Sequence, residues 1–240
     1  MENKITLQKA FAILFILFLI SPSVFAQERF STAPEGAIIL FDGTDFAAWT
    51  DCNDGAVKWK IVEGAMEVVP DTAYSCPKIQ GLKTRQNFQD FQLHVEFRLM
   101  GSEDNSGIYI QRRYEIQISN TYEKPFDQYM GGSIYHQKLP DFNVGKAQFE
   151  WQTYDIYFRA PRYENNGFFS RKTEDARITI VQNGVMIQNN VIVHSKTGVG
   201  FEEGPEPGPI MLQDHGTVVQ FRNIWIIPNV PIETMSESKH

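Results

Sequence analysis

Residues 105–119, NSGIYIQRRYEIQIS, combine side chains that bind hydroxyl groups with one that can move a proton. Ile108 and Ile110, then Ile116 and Ile118, alternate with Tyr109, Gln111, Glu115 and Gln117. A period of two sends the isoleucines to a core and the polar set to the opposite face of a hairpin. The run 91–99 alternates likewise, with Phe91, Leu93, Val95, Phe97 and Leu99 on one side and Gln92, His94, Glu96 and Arg98 on the other. If the two runs are neighbours, one sheet face gathers Tyr, Gln, Glu, His and Arg. Carboxamides and carboxylates bind hydroxyls as donors and acceptors, and an aromatic ring covers the apolar face of a sugar. The same pattern also describes a solvated face with cross-strand ion pairs.

Two further clusters hold titratable groups. Gly132-Ser133-Ile134-Tyr135-His136-Gln137 sets a histidine beside an aromatic after a Gly pair. Gln213-Asp214-His215-Gly216 ends an apolar run, and its Asp and Gly also suit a plain turn with His215 exposed. Glu96, Arg98, Tyr109, Gln111, Arg113, Gln117, Tyr135 and Gln213 are the candidate substrate contacts. Glu115, His136 and Asp214 are also candidate ligands for a divalent metal, since oxygen and imidazole donors admit Ca, Mn or Zn. No cofactor beyond such a metal is suggested. There is no HExxH, CxxC pair, Walker loop or GxSxG.

The elements that must position these residues are strands. Period-2 runs at 37–41, 59–62, 91–99, 154–158, 176–181 and 221–227 predict a sandwich of two antiparallel sheets. Asn183-Gly184 predicts a hairpin over 176–193. The Gly- and Pro-rich stretch 195–209 is too long for an ordinary connection and is expected to be functional or disordered.

At the start, Lys4 and Lys9, the apolar run Ala10–Ile20 and Val24-Phe25-Ala26 read as a secretory signal peptide cleaved after Ala26. Residues 27–34 read as a linker, 35–230 as one domain and 231–240 as a polar tail. Removing the 26 signal residues from 240 leaves 214, ample for one buried core. The destination is periplasmic or extracellular, with no membrane insertion of the mature chain. Cys52 and Cys76 can pair there or stay as buried thiols. A net charge of −7 without a basic run argues against nucleic acid or an anionic membrane as partner.

Residues 109–119, the stretch EWQTYDIYFRAPRY at 150–163, GPIMLQDHGTVVQFRNIWIIP at 208–228 and Leu40-Phe41-Asp42-Gly43 with Trp49 resemble the 3-keto-disaccharide hydrolase domain family. The resemblance spans roughly residues 35–230. It implies an all-β, concanavalin A-like lectin/glucanase sandwich, a carbohydrate ligand and cleavage of glycosides oxidised at C3 by removal of the C2 proton, elimination at C1 and hydration, for which Glu115 is the candidate base and His136 the candidate acid, positioned by Asp214 and His215. The chain departs from the usual pattern at Arg112, where Gly is common, and at His136-Gln137-Lys138, where Gly or Ala is common. A non-catalytic carbohydrate-binding domain, an adhesion domain and an ordinary glycosidase of the same fold remain alternatives, because fold alone does not decide function.

Overall fold

The computed structural model describes residues 32–165, 167 and 169–229. The proposed signal peptide, most of the linker and the polar tail lie outside the described residues. Every regular element among the described residues is a strand. None of these residues forms a helix long and apolar enough to cross a membrane.

Two antiparallel sheets face each other. The larger runs β13 (Val185–Val193), β12 (Ala176–Gln182), β9 (Gln152–Arg159), β6 (Phe91–Leu99), β15 (Val219–Pro228), β4 (Ala65–Glu67) and β3 (Lys60–Val62), with β1 (Ile38–Phe41) also paired to β15. The smaller runs β2 (Trp49–Asp51), β5 (Gly81–Thr84), β14 (Met211–Gln213), β7 (Asn105–Ile110) and β8 (Tyr114–Ser119). A separate hairpin joins β10 (Arg162–Asn165) to β11 (Ser170–Glu174). This is the all-β sandwich of two antiparallel sheets expected from the alternating runs, and the concanavalin A-like fold that the family resemblance implies.

Alternation builds the core between the sheets. Leu93, Val95 and Phe97 of β6, Tyr154, Ile156 and Phe158 of β9, and Phe221 and Ile226 of β15 meet Leu82, Ile108, Ile116 and Leu212 of the smaller sheet in one buried cluster. The Tyr154 hydroxyl is buried there and donates across the core to the Gln117 carbonyl at 2.9 Å, so its polar atom is satisfied. Trp49 does the same with Leu40, its indole N–H donating to that carbonyl at 2.7 Å. The predicted hairpin at 176–193 forms, with Asn183 and Gly184 both at positive φ as a type I′ turn requires.

A second, smaller cluster covers part of the outer face of the smaller sheet. Cys52, Cys76, Ile79, Tyr109 and Met211 pack together there, with Phe201 against them. Cys52 and Cys76 are joined in a disulfide, 6.1 Å apart at Cα, which ties the 52–80 segment down beside Tyr109. The outer face of this sheet is thus walled on one side and open on the other.

Candidate active site

The site is built around β8, an edge strand. An edge leaves backbone groups unpaired unless something covers it. Two segments do so. Gln117 N donates to Ser133 O at 3.0 Å, Gly132 N to Gln117 O at 2.9 Å and Tyr135 N to Glu115 O at 3.0 Å, so residues 132–135 lie along the edge. From the other end, Thr197 N donates to Arg113 O at 2.9 Å and its hydroxyl accepts from Glu115 N at 2.7 Å. These segments bring Tyr135 and His136 to one side of Glu115 and Gly198 to another.

Register places the polar row. Tyr109 pairs with Glu115 and Gly107 with Gln117, all on the outer face, while Ile108 pairs with Ile116 on the core face. The Tyr109 hydroxyl donates to Glu115 Oε2 at 2.7 Å. The other oxygen, Oε1, lies over Gly107, where an added Cβ would come within 2.6 Å of it. Gly107 thus holds open the space the carboxylate occupies. Gln117 donates through Nε2 to Asn105 Oδ1 at 2.7 Å. Burial raises the Glu115 pKa to about 7, although the Tyr109 hydrogen bond pulls the other way. The Tyr109 hydroxyl is pushed far above its ordinary range, chiefly by burial and then by the Glu115 charge.

Above this floor opens a cleft of about 400 Å³. Asn105, Gln117 and Gln213 continue the floor, and Tyr129, Tyr135, His136, Val199 and His215 form the rim. Among the described residues lining it, Glu115 is the sole carboxylate and there is no Lys or Arg. Tyr135 and His136 stack at 4.1 Å and 15°. Burial and the nearby Glu115 charge raise the Tyr135 pKa. His136 is exposed and sits at φ 57°, the left-handed region that disfavours its Cβ. The buried Gln213 Oε1 has no hydrogen-bond partner.

Of the residues proposed from sequence, Glu115, Gln117, Tyr109, Tyr135, His136, Gln213 and His215 meet at the cleft. Tyr109 is only 1% exposed and is a support for Glu115, not a stacking platform. Five others are elsewhere. Glu96 and Arg98 stand on β6, which pairs β9 and β15 in the larger sheet, so they lie on the opposite outer surface of the sandwich. The assumption that the 91–99 run neighbours the 105–119 hairpin is therefore corrected. Gln111 and Arg112, at φ 54° and 57°, form the hairpin turn. The alternation stops there, and Gln111 Nε2 turns back to donate to Phe88 O at 2.8 Å. Arg113 donates to Gln111 Oε1 at 2.8 Å and to the carbonyls of Glu202, Gly204 and Glu206, which fastens the 195–209 loop to the hairpin tip. Asp214 accepts from Asp71 N at 2.7 Å and Gly216 N at 2.9 Å, faces away from the cleft and braces two loops.

With Asp214 turned away, Glu115, His136 and Asp214 do not converge as metal ligands. No group of three or more His, Cys, Asp or Glu among the described residues is arranged to hold a metal ion. Sequence reasoning missed Asn105, Tyr129 and Val199. Asn105 was within reach, since the alternation 109, 107, 105 places it on the same face. Tyr129 and Val199 come from loops whose position only the fold sets.

A model of the 3-keto-alpha-glucoside-1,2-lyase-like domain matches residues 36–227. A candidate glycosyl hydrolase from Parabacteroides distasonis superposes with a TM-score of 0.70 at 36% identity, over 81% of this chain and 84% of that one. Two others from the same organism give TM-scores of 0.57 and 0.52, each at 19% identity, covering 82% and 79% of this chain and 95% and 98% of theirs. No curated protein matches.

Proposed function

The chain belongs to the 3-keto-alpha-glucoside-1,2-lyase-like domain family, and from that premise we propose that it cleaves 3-keto-glycosides by removing the C2 proton, with Glu115 as base and His136 as acid. The observation that carries this is a single buried carboxylate, with its pKa raised to about 7, at the floor of a cleft lined by no second one among the described residues. An ordinary glycosidase works with two carboxylates flanking the scissile bond. Proton abstraction beside a ketone needs only one base tuned near neutrality.

The steps balance as follows. Glu115 takes the proton from C2, and the electron pair of that C–H bond forms an enolate with the C3 ketone. The enolate collapses to restore the ketone, forms a C1–C2 double bond and breaks the C1–O bond. The leaving oxygen takes a proton from His136. Water then adds its hydroxyl to C1 and gives its other proton back to His136, and Glu115, its proton exchanged with the entering solvent, returns a proton to C2. The sum is glycoside plus water to 3-keto sugar plus alcohol. Tyr109 anchors Oε2 and leaves Oε1, which accepts no hydrogen bond from the described residues, for the C2 proton. Gln213, with its unpartnered amide oxygen, suits a sugar hydroxyl.

The kin from Parabacteroides distasonis support carbohydrate chemistry at the coarser level. Export is part of the proposal, supported by Lys4, Lys9 and the apolar run Ala10–Ile20, and by a disulfide that persists in an oxidising compartment. N-terminal sequencing of exported protein is expected to begin at Gln27. For the chemistry, turnover of a 3-keto-glucoside in heavy water is expected to leave deuterium at C2 of the product. Product without it means displacement at C1 and overturns the mechanism. Tight binding of the oxidised glycoside with no turnover would return the binding-domain alternative.

A further inference from the structure

The Glu115 cleft continues past Gln117 into a further hollow of about 260 Å³, and Asn105, Gln117 and Tyr129 line both spaces. Glu115, Gln117 and Ser119 share one face of β8. A strand advances about 3.4 Å per residue, so Ser119, in the hollow, stands about 13 Å beyond Glu115. The segment covering the strand edge runs the same length. Tyr135 N donates to Glu115 O at one end, and Ser119 Oγ donates to Tyr129 O at 2.7 Å at the other. His136, next to Tyr135, is therefore at the Glu115 end of the groove, and the hollow is at the opposite end.

Two carboxamides form the sill between the spaces. Gln117 is 2% exposed, and its Nε2 is spent on Asn105 Oδ1. Thr217 Oγ1 fixes Asn105, accepting from its N and donating to its O, each at 3.0 Å. Gln117 Oε1 and Asn105 Nδ2 make no hydrogen bond to the described residues. One acceptor and one donor thus stand side by side at the junction, the pair that serves a sugar hydroxyl and a linkage oxygen.

Past the sill the walls are polar, with Ser119, Asn120 and Thr121 on one side and the turn at 102–105 on the other. Among the described residues lining the hollow, Lys124 is the sole cation. It is engaged by Glu103 at 3.6 Å and by Ser102 O at 3.3 Å. Asp104 and Asp127 add two carboxylates, bonded to backbone N–H groups and to no Lys or Arg among the described residues. Such a space accepts a neutral hydroxylated unit and repels a carboxylate or a sulfate.

The oxidised ring presents C1, C2 and C3 to the chemistry, and O4 and O6 lie on the ring edge away from C1. We propose that the hollow past Gln117 receives a neutral sugar unit joined to O4 or O6 of the oxidised ring, so that the enzyme cuts beside an inner ring of a glycan chain and not only beside a terminal one. This rests on the function proposed above and is independent of what leaves from C1.

The test gives one leaving group, methanol, to three kinds of substrate: methyl 3-keto-glucoside, the same ring extended at O4 or O6 with glucose, and the same ring extended there with glucuronate. For one of the two linkages, KM with glucose attached is expected to be about tenfold lower than for the bare ring, and glucuronate is expected to give no gain. Ser102 is exposed, lines the hollow and does not line the Glu115 cleft, so Ser102→Trp obstructs the hollow alone. That variant is expected to erase the gain from glucose and to leave kcat and KM for methyl 3-keto-glucoside within about twofold of wild type. No gain from glucose at either position, an equal gain from glucuronate, or a gain that survives Ser102→Trp overturns the proposal. A wild type that turns over none of the substrates speaks against the proposed function instead. The hollow is then decided by calorimetric titration with unoxidised methyl glucoside, methyl maltoside and methyl isomaltoside. Tighter binding of a two-ring glycoside that Ser102→Trp abolishes supports the subsite, and equal or absent binding overturns it.

Discussion

The two outer faces of the sandwich carry similar residues and do opposite things with them. On the larger sheet, His94 Nδ1 lies 2.7 Å from Asp155 Oδ1, and Glu96 accepts from Arg222 Nε at 2.7 Å and Asn223 Nδ2 at 2.8 Å. A bulge in β15 between Arg222 and Trp225, with Asn223 at φ 46°, lets both neighbours reach the same carboxylate. Trp225 stacks on His94 at 4.9 Å, and Arg222 lies 3.8 Å over Trp151. Burial penalises both charges, yet Asp155 and Glu96 together raise His94 to about 9, and His94, Asn223 and Arg222 lower Glu96 to about 2. On the smaller sheet, Glu115 is buried to a similar degree but has one neutral partner, Tyr109, and its pKa moves up to about 7. Burial with partners makes a brace, whereas burial with no countercharge makes a group that can exchange protons near neutrality.

The sharpest way to break this contrast is to remove each carboxylate's charge. Glu115→Gln keeps the shape and the Tyr109 contact, so folding is expected to hold while turnover of a 3-keto-glycoside falls about 10³-fold, the scale of a lost general base. Full activity in that variant would take Glu115 out of the chemistry. Glu96→Ala should do the reverse. It removes the buried carboxylate that Arg222, Asn223 and His94 face and is expected to cost about 3 kcal/mol of stability in denaturant titrations, with kcat unchanged. If Glu96→Ala loses activity at full stability, the two faces are not separate in function.

His136→Asn probes the rim. Asn tolerates the left-handed turn, so stability is expected within about 0.5 kcal/mol of wild type, while turnover drops about 10²-fold if the acid is lost. A folded variant with undiminished rates would mean that the leaving oxygen takes its proton elsewhere.

The smallest effects are in pH. The Glu115 base works ionised, so the acid limb of kcat/KM is expected to climb as pH rises through about 7. Stability should follow Glu115 between pH 4.5 and about 7, where its raised pKa makes stability fall as pH rises, and the other face beyond those limits. His94 has a folded pKa above its unfolded value of 6.5, so its contribution is whole below 6.5 and is lost as pH rises through about 9. Glu96 is depressed below its unfolded 4.5, so its contribution is whole above 4.5 and is lost as pH falls toward 2. Thermal melts of the Glu115→Gln variant should keep both limbs, and melts of Glu96→Ala should lose the acid one.

By itself the sequence determined the strands, because alternation is a local property. Ile108, Ile110, Ile116 and Ile118 had to share a face, and that put Tyr109, Glu115 and Gln117 on the other. It also supplied the Asn183-Gly184 hairpin and singled out His136, Gln213 and His215. Alternation says nothing about which strand lies beside which, so His94, Glu96 and Arg98 were read onto the wrong sheet. Nor does it survive a turn, and Gln111 left the face as soon as the backbone entered positive φ. Tertiary structure alone decided which buried charges found partners. Asp155, Arg222 and Asn223 come to His94 and Glu96 from strands 61 to 127 residues away, whereas among the described residues no Lys or Arg lines the cleft around Glu115. A carboxylate's proton affinity is set by the groups within a few ångströms and by the water excluded around it, and both are properties of the packed chain.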